Sequence, residues 1–248
     1  MQAPIESIRV RLLQVRDREA IIAEEQASFL ARTGLRSEQL LATNVLREMP
    51  SAELLDGVDA VLIGGAGAYS VTQTFPWTAA LIALCHTCAE REIPLFGSCW
   101  GHQFIARAFG GRVEHDPDRS ELGTHSVSLT DGGMTDDLFG LLPPTFDAQM
   151  GHHDRVVELP PAGVELASSG TAPFQAVRIG DLPIFGTQFH SELDARSLRN
   201  RLVTYRSYYP EVTAEEDFRR VFDGVLPTPA ADELLRLFLE RFASRQRG

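Results

Sequence analysis

The sequence predicts an α/β fold of the doubly wound kind, a mostly parallel sheet flanked by helices. Three observations carry this expectation. Short apolar runs, Ala60-Val61-Leu62-Ile63 and Ile93-Pro94-Leu95-Phe96, have strand length and no polar face, as parallel strands covered on both sides do. Segments with helical spacing of apolar residues alternate with such runs. Finally, Phe96 runs into Gly97-Ser98-Cys99-Trp100-Gly101 and then into a helical pattern through Phe104, Ile105, Ala108 and Phe109. Strand, glycine-flanked nucleophile and helix, in that order, are the parts of a nucleophile elbow, here with cysteine.

Ile8 to Val15 alternates well enough for a first strand, with Ile8, Val10 and Leu12 on one face. Asp17 is placed to cap a helix running to about Thr33, with Ile22, Phe29 and Leu30 inward and Gly34 as its stop. Gln39 to Leu46 reads as a weaker strand and Asp59 to Ile63 as a strong one. Trp77 to Arg91 is helical, the elbow follows, and Gly110-Gly111 ends the elbow helix. Arg112 to Glu114, Thr124 to Leu129 and Thr145 to Met150 read as short strands, with a helical turn over Asp136 to Leu142 stopped by Pro143-Pro144. Val164 to Ser168, Phe174 to Ile179 and Ile184 to Phe189 complete the strands. Because residues 110 to 180 are strand-rich, part of the sheet or a flanking ribbon is expected to be antiparallel. Helices then follow at about Asp194 to Ser207, Thr213 to Phe222 and Ala230 to Arg245, the last with an apolar stripe suited to packing on the domain or on a partner. One domain over residues 1–248 is expected, with a core of about 5–193 and a C-terminal helical extension of about 194–248.

Composition narrows the function. A formal net charge of -11 repels a phosphate backbone, which argues against nucleic acid. No apolar run approaches the roughly 18 residues of a membrane span, the beginning of the chain lacks the blocks of a signal peptide, and mean hydropathy is -0.09. Three cysteines make no disulfide framework and fit a reducing, cytoplasmic setting. Cys85-His86-Thr87-Cys88 admits a redox or zinc reading, but it lies in a helical segment with no second cysteine pair, so helix packing is preferred.

Four stretches carry chemistry. At the elbow, a tight turn holds Cys99 in a strained, exposed position, and the helix beginning there favours thiolate. Far along the chain, Ile184 to Phe189 ends in His190-Ser191-Glu192. Residues two apart in extended chain point the same way, so Glu192 can orient the His190 imidazole as a base for a cysteine. Gly64-Gly65-Ala66-Gly67 follows a buried strand, where glycines allow backbone to approach a ligand; it does not fit a dinucleotide fingerprint. Met150 to Val156 carries adjacent histidines beside an acid and reads as a loop; neighbouring positions do not share a face, which argues against a metal.

Cys-x-Gly-x-Gln at Cys99, Gly101 and Gln103, with Gln-x-His-x-Glu at Gln188, His190 and Glu192, resembles the class I (triad) glutamine amidotransferases, in particular the glutaminase domains of GMP synthases. The resemblance covers roughly residues 40 to 193 and implies a flavodoxin-like sheet with a Cys99–His190–Glu192 triad. It also implies an oxyanion hole from the N–H groups of Gly65 and Trp100, and substrate contacts at Gln103, Gly151 and His152. The chain departs from the family pattern at Ala66 and Ser191, where proline is commonest, and at Gly151, where some members have serine.

What the resemblance implies is hydrolysis of glutamine's side-chain amide through a γ-glutamyl thioester, with ammonia passed to a separate synthase subunit. Neither a metal nor an organic cofactor is implied. Only 56 residues follow Glu192, too few for a synthetase domain. A free-standing γ-glutamyl hydrolase or peptidase acting on γ-glutamyl compounds is the alternative, and a non-catalytic binding module of the same fold is a third reading.

Overall fold

A computed structural model describes residues 5–243. Its central sheet has nine strands. β1 (Val10–Gln14), β2 (Leu40–Asn44), β3 (Ala60–Ile63), β4 (Leu95–Ser98) and β11 (Ile184–Thr187) run parallel in the order β2-β1-β3-β4-β11. The sheet continues from β11 through β10 (Ala176–Ile179), β9 (Gly163–Ser169), β6 (Glu121–Leu129) and β7 (Thr145–His152), each antiparallel to its neighbour. β5 (Arg112–His115) and β8 (Asp154–Glu158) form a separate antiparallel ribbon.

Helices cover both faces, so the parallel strands are apolar on both. Leu12, Leu62, Phe96 and Phe185 point into one core layer, shared with α1 (Glu19–Thr33) and α8 (Leu234–Phe242). Leu13, Val61, Ile63 and Leu95 point into the other, under α2 (Thr78–Glu90) and α3 (Trp100–Ala108). Phe238 lies 5.3 Å from Phe96 and 6.0 Å from Phe185, ring centre to ring centre, and Phe242 lies 5.2 Å from Phe185. The stripe on the last helix therefore packs against this domain, directly behind the elbow strand.

Several sequence expectations are corrected. α1 starts at Glu19, with Arg18 at the N-cap and no side-chain cap bond, so Asp17 does not cap it. Its buried face passes through Ile21, Glu25 and Phe29 rather than Ile22. Gly34 does stop the helix, with φ 71° and its N–H on the Leu30 carbonyl. The stretch from Met150 to Val156 is not a loop: it is the end of β7, paired with β6, and the start of β8, paired with β5. β10 begins at Ala176 rather than Phe174, because Phe174 has φ 60° and breaks the strand. Over Asp136 to Leu142 only a 3-10 turn, Phe139–Leu141, forms; a short helix α4 (Asp131–Thr135) precedes it, capped by Thr130.

Beyond β11, the observed helices are α5 (Ala195–Tyr205), α6 (Glu215–Asp223), α7 (Pro229–Asp232) and α8. Asp194 caps α5 by accepting the Ser197 N–H at 2.7 Å. The expectation of one helix from Ala230 to Arg245 becomes two, and its residues beyond 243 lie outside the described ones. Among the described residues, no helix is long and apolar enough to cross a membrane.

Candidate active site

Cys99 follows the last residue of β4 and precedes the first residue of α3. Its backbone sits at φ 50° and ψ -101°, where residues with a Cβ are rarely found. The position is held by its N–H, which donates to the Thr187 carbonyl on β11 at 2.7 Å. As N-cap, Cys99 lies at the positive end of α3, whose first N–H groups have no partner within the helix. The side chain is less open than expected: Cys99 is 8% exposed and forms part of a cleft floor.

The flanking glycines are required by space. A Cβ on Gly97 would lie 2.4 Å from the Gly101 backbone, and one on Gly101 would lie 2.4 Å from the Ile63 carbonyl oxygen. Neither neighbour is a flexible side-chain end. Gly101→Ala is therefore expected to destabilise by about 3 kcal/mol, the upper range for over-packing. A thermal melt followed by circular dichroism checks this, and an unshifted midpoint would contradict so close an approach.

His190 reaches Cys99 because β4 and β11 are parallel neighbours, with Ser98 opposite Thr187. Residues ninety-one apart in sequence thus leave the carboxyl ends of adjacent strands. The His190 N–H donates to the Gln149 carbonyl of β7 at 2.8 Å, fixing its backbone. Its Nδ1 lies 2.7 Å from Glu192 Oε1, and the ring lines the same cleft as Cys99. The other carboxylate oxygen, Oε2, accepts from Ser98 Oγ at 2.5 Å. Burial raises the Glu192 carboxyl pKa, but His190 and the Ser98 bond outweigh it and hold the group below the usual carboxylate range. Burial lowers the His190 imidazole pKa, yet the charges and hydrogen bonds of Glu192 and Cys99 carry it above its ordinary value.

The other expected residues line the same cleft, of about 240 Å³. A Cβ on Gly65 would stand 3.5 Å from His190 Cε1 and 2.8 Å from Arg16 Nη2, so the loop backbone closes directly over the imidazole. The Gly151 carbonyl lies 3.9 Å from Cys99 Sγ. Gln103 is turned toward the protein: its Nε2 donates to the Asp154 carbonyl at 2.6 Å and to Gln188 Oε1 at 3.1 Å. Gln188 Nε2 in turn lies 3.7 Å from Cys99 Sγ, so Gln103 supports a donor to the sulfur. His152 is also fixed from behind, with Nε2 at 3.1 Å from the buried Glu121, which accepts a second bond from Gln175 at 2.6 Å.

Four contributors were not legible as such. Ser98 looks like an ordinary turn residue until Glu192 is placed on it. Tyr209, whose hydroxyl donates to the Gly151 carbonyl at 3.3 Å, arrives from the segment after α5. Arg16 and Arg201 line the cleft from the end of β1 and from α5. A basic residue just after the first strand is the only sequence signal for any of them. Cys85 and Cys88 take no part: both are fully buried on α2, where desolvation pushes the Cys85 thiol well above its ordinary pKa and Cys88 up to about 12. Among the described residues, no group of three or more His, Cys, Asp or Glu side chains could hold a metal ion.

The pattern that defines the family "Glutamine amidotransferase class-I" matches residues 17–205, more than two thirds of the sequence, and spans the elbow, the Gly65 loop and His190. The chain belongs to the class-I glutamine amidotransferases. Its relatives include one subunit of the glutamine-hydrolyzing GMP synthase of Pyrococcus abyssi (strain GE5 / Orsay), 39% identical over 104 residues, which are 42% of this chain and 53% of that one. The glutamine-hydrolyzing GMP synthase of Thermosipho africanus (strain TCF52B) is 38% identical over 114 residues, 46% of this chain and 21% of that one. The matched stretch is thus about half of such relatives, or less. Among solved structures, a glutamine amidotransferase from Thermotoga maritima superposes with TM-score 0.71 at 22% identity, covering 95% of this chain and 98% of that one. Another from Methylobacillus flagellatus gives TM-score 0.74 at 20% identity over 97% and 96% of the two chains. This shared architecture bears out the expected mostly parallel sheet with added C-terminal helices.

Proposed function

We propose that this class-I amidotransferase hydrolyses the side-chain amide of glutamine and delivers the ammonia to a separate acceptor enzyme. The observation that carries the reading is that Cys99 and His190 line one cleft, with the His190 ring held on Glu192.

In this mechanism the Cys99 sulfur attacks the amide carbon, and His190 takes the thiol proton and passes it to the leaving nitrogen. Glu192, fixed by Ser98, holds Nδ1 protonated so that Nε2 faces the sulfur. The developing oxyanion is met by the N–H groups of Gly65 and Trp100, each worth about 3 kcal/mol of barrier. Ammonia leaves, and water activated by His190 cleaves the γ-glutamyl thioester. Gly151 offers its carbonyl to the substrate ammonium, while Gln103 and His152, both tied into the protein, shape the pocket rather than reach far into it. The Pyrococcus relative, named as one subunit of a GMP synthase, supports an acceptor carried on another chain.

Glutamate and ammonia production from glutamine tests the reading. The purified chain is expected to turn glutamine over slowly, and an added synthase subunit to accelerate it. Glutamine left intact by the chain, with and without such a subunit, would overturn it.

A further inference from the structure

Arg16 leaves the carboxyl end of β1 beside the loop that leaves β3, because the two strands are parallel neighbours with Leu13 opposite Ile63. Its side chain is 3% exposed and forms an ion pair with Glu25 of α1, itself 0% exposed. Nε and Nη2 donate to Glu25 Oε1 at 3.1 and 2.7 Å, and the other carboxylate oxygen accepts from Gln14 Nε2 at 2.9 Å. The Arg16 carbonyl accepts from Asn44 Nδ2, at the end of β2, at 2.6 Å. The pair is thus fixed from β1, β2 and α1 together.

The glycine loop lies directly on it. A Cβ on Gly64 would stand 2.7 Å from Glu25 Oε1, one on Gly65 2.8 Å from Arg16 Nη2, and one on Gly67 3.1 Å from Arg16 Nη1. The end of a free side chain yields to such a contact, but these ends are held. The guanidinium is planar, so the bonds at Nε and Nη2 also place Nη1. The ion pair therefore fills the space into which side chains would grow at all three positions, which accounts for three glycines in four residues. His190 Cε1 stands 3.5 Å from the same point on Gly65, and Glu192 bears electrostatically on Arg16. The pair thus touches the loop and also feels the carboxylate on which the His190 ring is held.

We propose that Arg16 and Glu25 are positioning residues, which together hold the Gly64–Gly67 backbone where the Gly65 N–H meets the oxyanion on the Cys99-bound carbon. The proposal rests on the reading of Gly65 as an oxyanion donor. Arg16 acts through the loop backbone and not on the reacting atoms. A buried ion pair adds little stability over apolar residues of the same volume, so what it supplies here is a rigid support. An oxyanion donor works at about 2.7–3.1 Å from the oxygen. A loop settling by about 1 Å onto a softer support loses that bond in the transition state, while binding of the intact substrate, made elsewhere in the cleft, remains.

The test replaces the pair by apolar residues of similar size, Arg16→Met with Glu25→Leu, an exchange that buried ion pairs commonly accept without loss of stability. The folded double variant is expected to hydrolyse glutamine with kcat lowered about a hundredfold, the loss of one oxyanion donor, and with KM within about threefold of wild type. Alkylation of Cys99 by iodoacetamide builds no oxyanion, so its rate, followed on the Cys99 peptide by mass spectrometry, should stay at the wild-type value. A folded variant with wild-type kcat would overturn the proposal. So would kcat and alkylation falling together, which is what general damage to the site produces. If the double variant does not fold, Gly64→Ala decides from the side of the loop, because its methyl must lift the backbone off Glu25. A hundredfold loss of kcat there supports the proposal, and wild-type kcat overturns it. An active wild type with an equally active double variant removes this inference alone. A wild type that leaves glutamine intact, with and without a synthase subunit, removes the chemistry beneath it.

Discussion

Cys99→Ala is expected to yield a folded protein that releases no measurable ammonia or amine. The substitution keeps the Cβ, so the backbone at φ 50° meets no new atom. It removes only the sulfur, whose neighbours are the Gln188 amide at 3.7 Å and the Gly151 carbonyl at 3.9 Å. Both are long contacts, and the Gly151 carbonyl keeps its bond from Tyr209, so stability should change by about 1 kcal/mol or less, within the range of weak hydrogen bonds. Turnover should fall by about 10⁴-fold or more, the loss found when a covalent nucleophile is removed from a triad enzyme. Glutamate release from a γ-glutamyl substrate measures one quantity and a thermal melt the other. A folded Cys99→Ala protein retaining a hundredth of wild-type turnover would show that the sulfur is not the nucleophile.

Glu192→Gln should have the next largest effect, with a distinct pH signature. The amide oxygen can still accept from one neighbour, but the NH₂ group must face either His190 Nδ1 or Ser98 Oγ, which lie at 2.7 and 2.5 Å from the two carboxylate oxygens. One bond of the chain is lost, and the imidazole loses the tautomer that presents Nε2 to the sulfur. A fall in kcat of about 10³–10⁴-fold is expected by analogy with amide replacement of a triad carboxylate. The charge of Glu192 is the first of the influences that offset burial and hold the His190 pKa above its ordinary value. Without it burial is less offset, His190 loses its proton at lower pH, and the imidazolium that protonates the leaving nitrogen disappears earlier. The alkaline limb of the kcat profile should therefore shift to lower pH. Stability has the complementary dependence. In the wild type, the depressed Glu192 pKa contributes stability that is lost as pH falls through the folded-state value, and the variant should lack that acid-side loss. An alkaline limb that stays in place would separate Glu192 from the titration of His190.

The elbow and the strand behind it were legible because their chemistry is local. Gly97, Cys99 and Gly101 are neighbours, and the clashes that demand glycine arise within the turn or against β3. His190 and Glu192 were legible as a pair for the same reason. Their approach to Cys99 rests on the parallel pairing of β4 with β11, which an apolar run suggests and a register confirms. The parts that escaped notice lack local pattern. Glu25 sits on the buried stripe of α1, where hydrophobic spacing has no place for an acid, because Arg16 arrives there from β1. Asp154 begins a strand although His-His-Asp reads as loop, because its backbone pairs with His115 across the ribbon. Its carboxylate meanwhile takes bonds from Ser70 and His115, fastening the glycine loop to that ribbon. Arg201 comes from helical sequence whose spacing announces packing and Tyr209 from the connection after it, and only the fold brings them to the cleft.

The packing of Phe238 and Phe242 on Phe96 and Phe185 has a consequence for biosynthesis. The strand that presents Cys99 is translated well over a hundred residues before the helix that covers its back. During synthesis this face of the sheet can be covered by its own helix only after Leu234–Phe242 has emerged. Closure of the aromatic layer behind the elbow strand is thereby tied to late elongation.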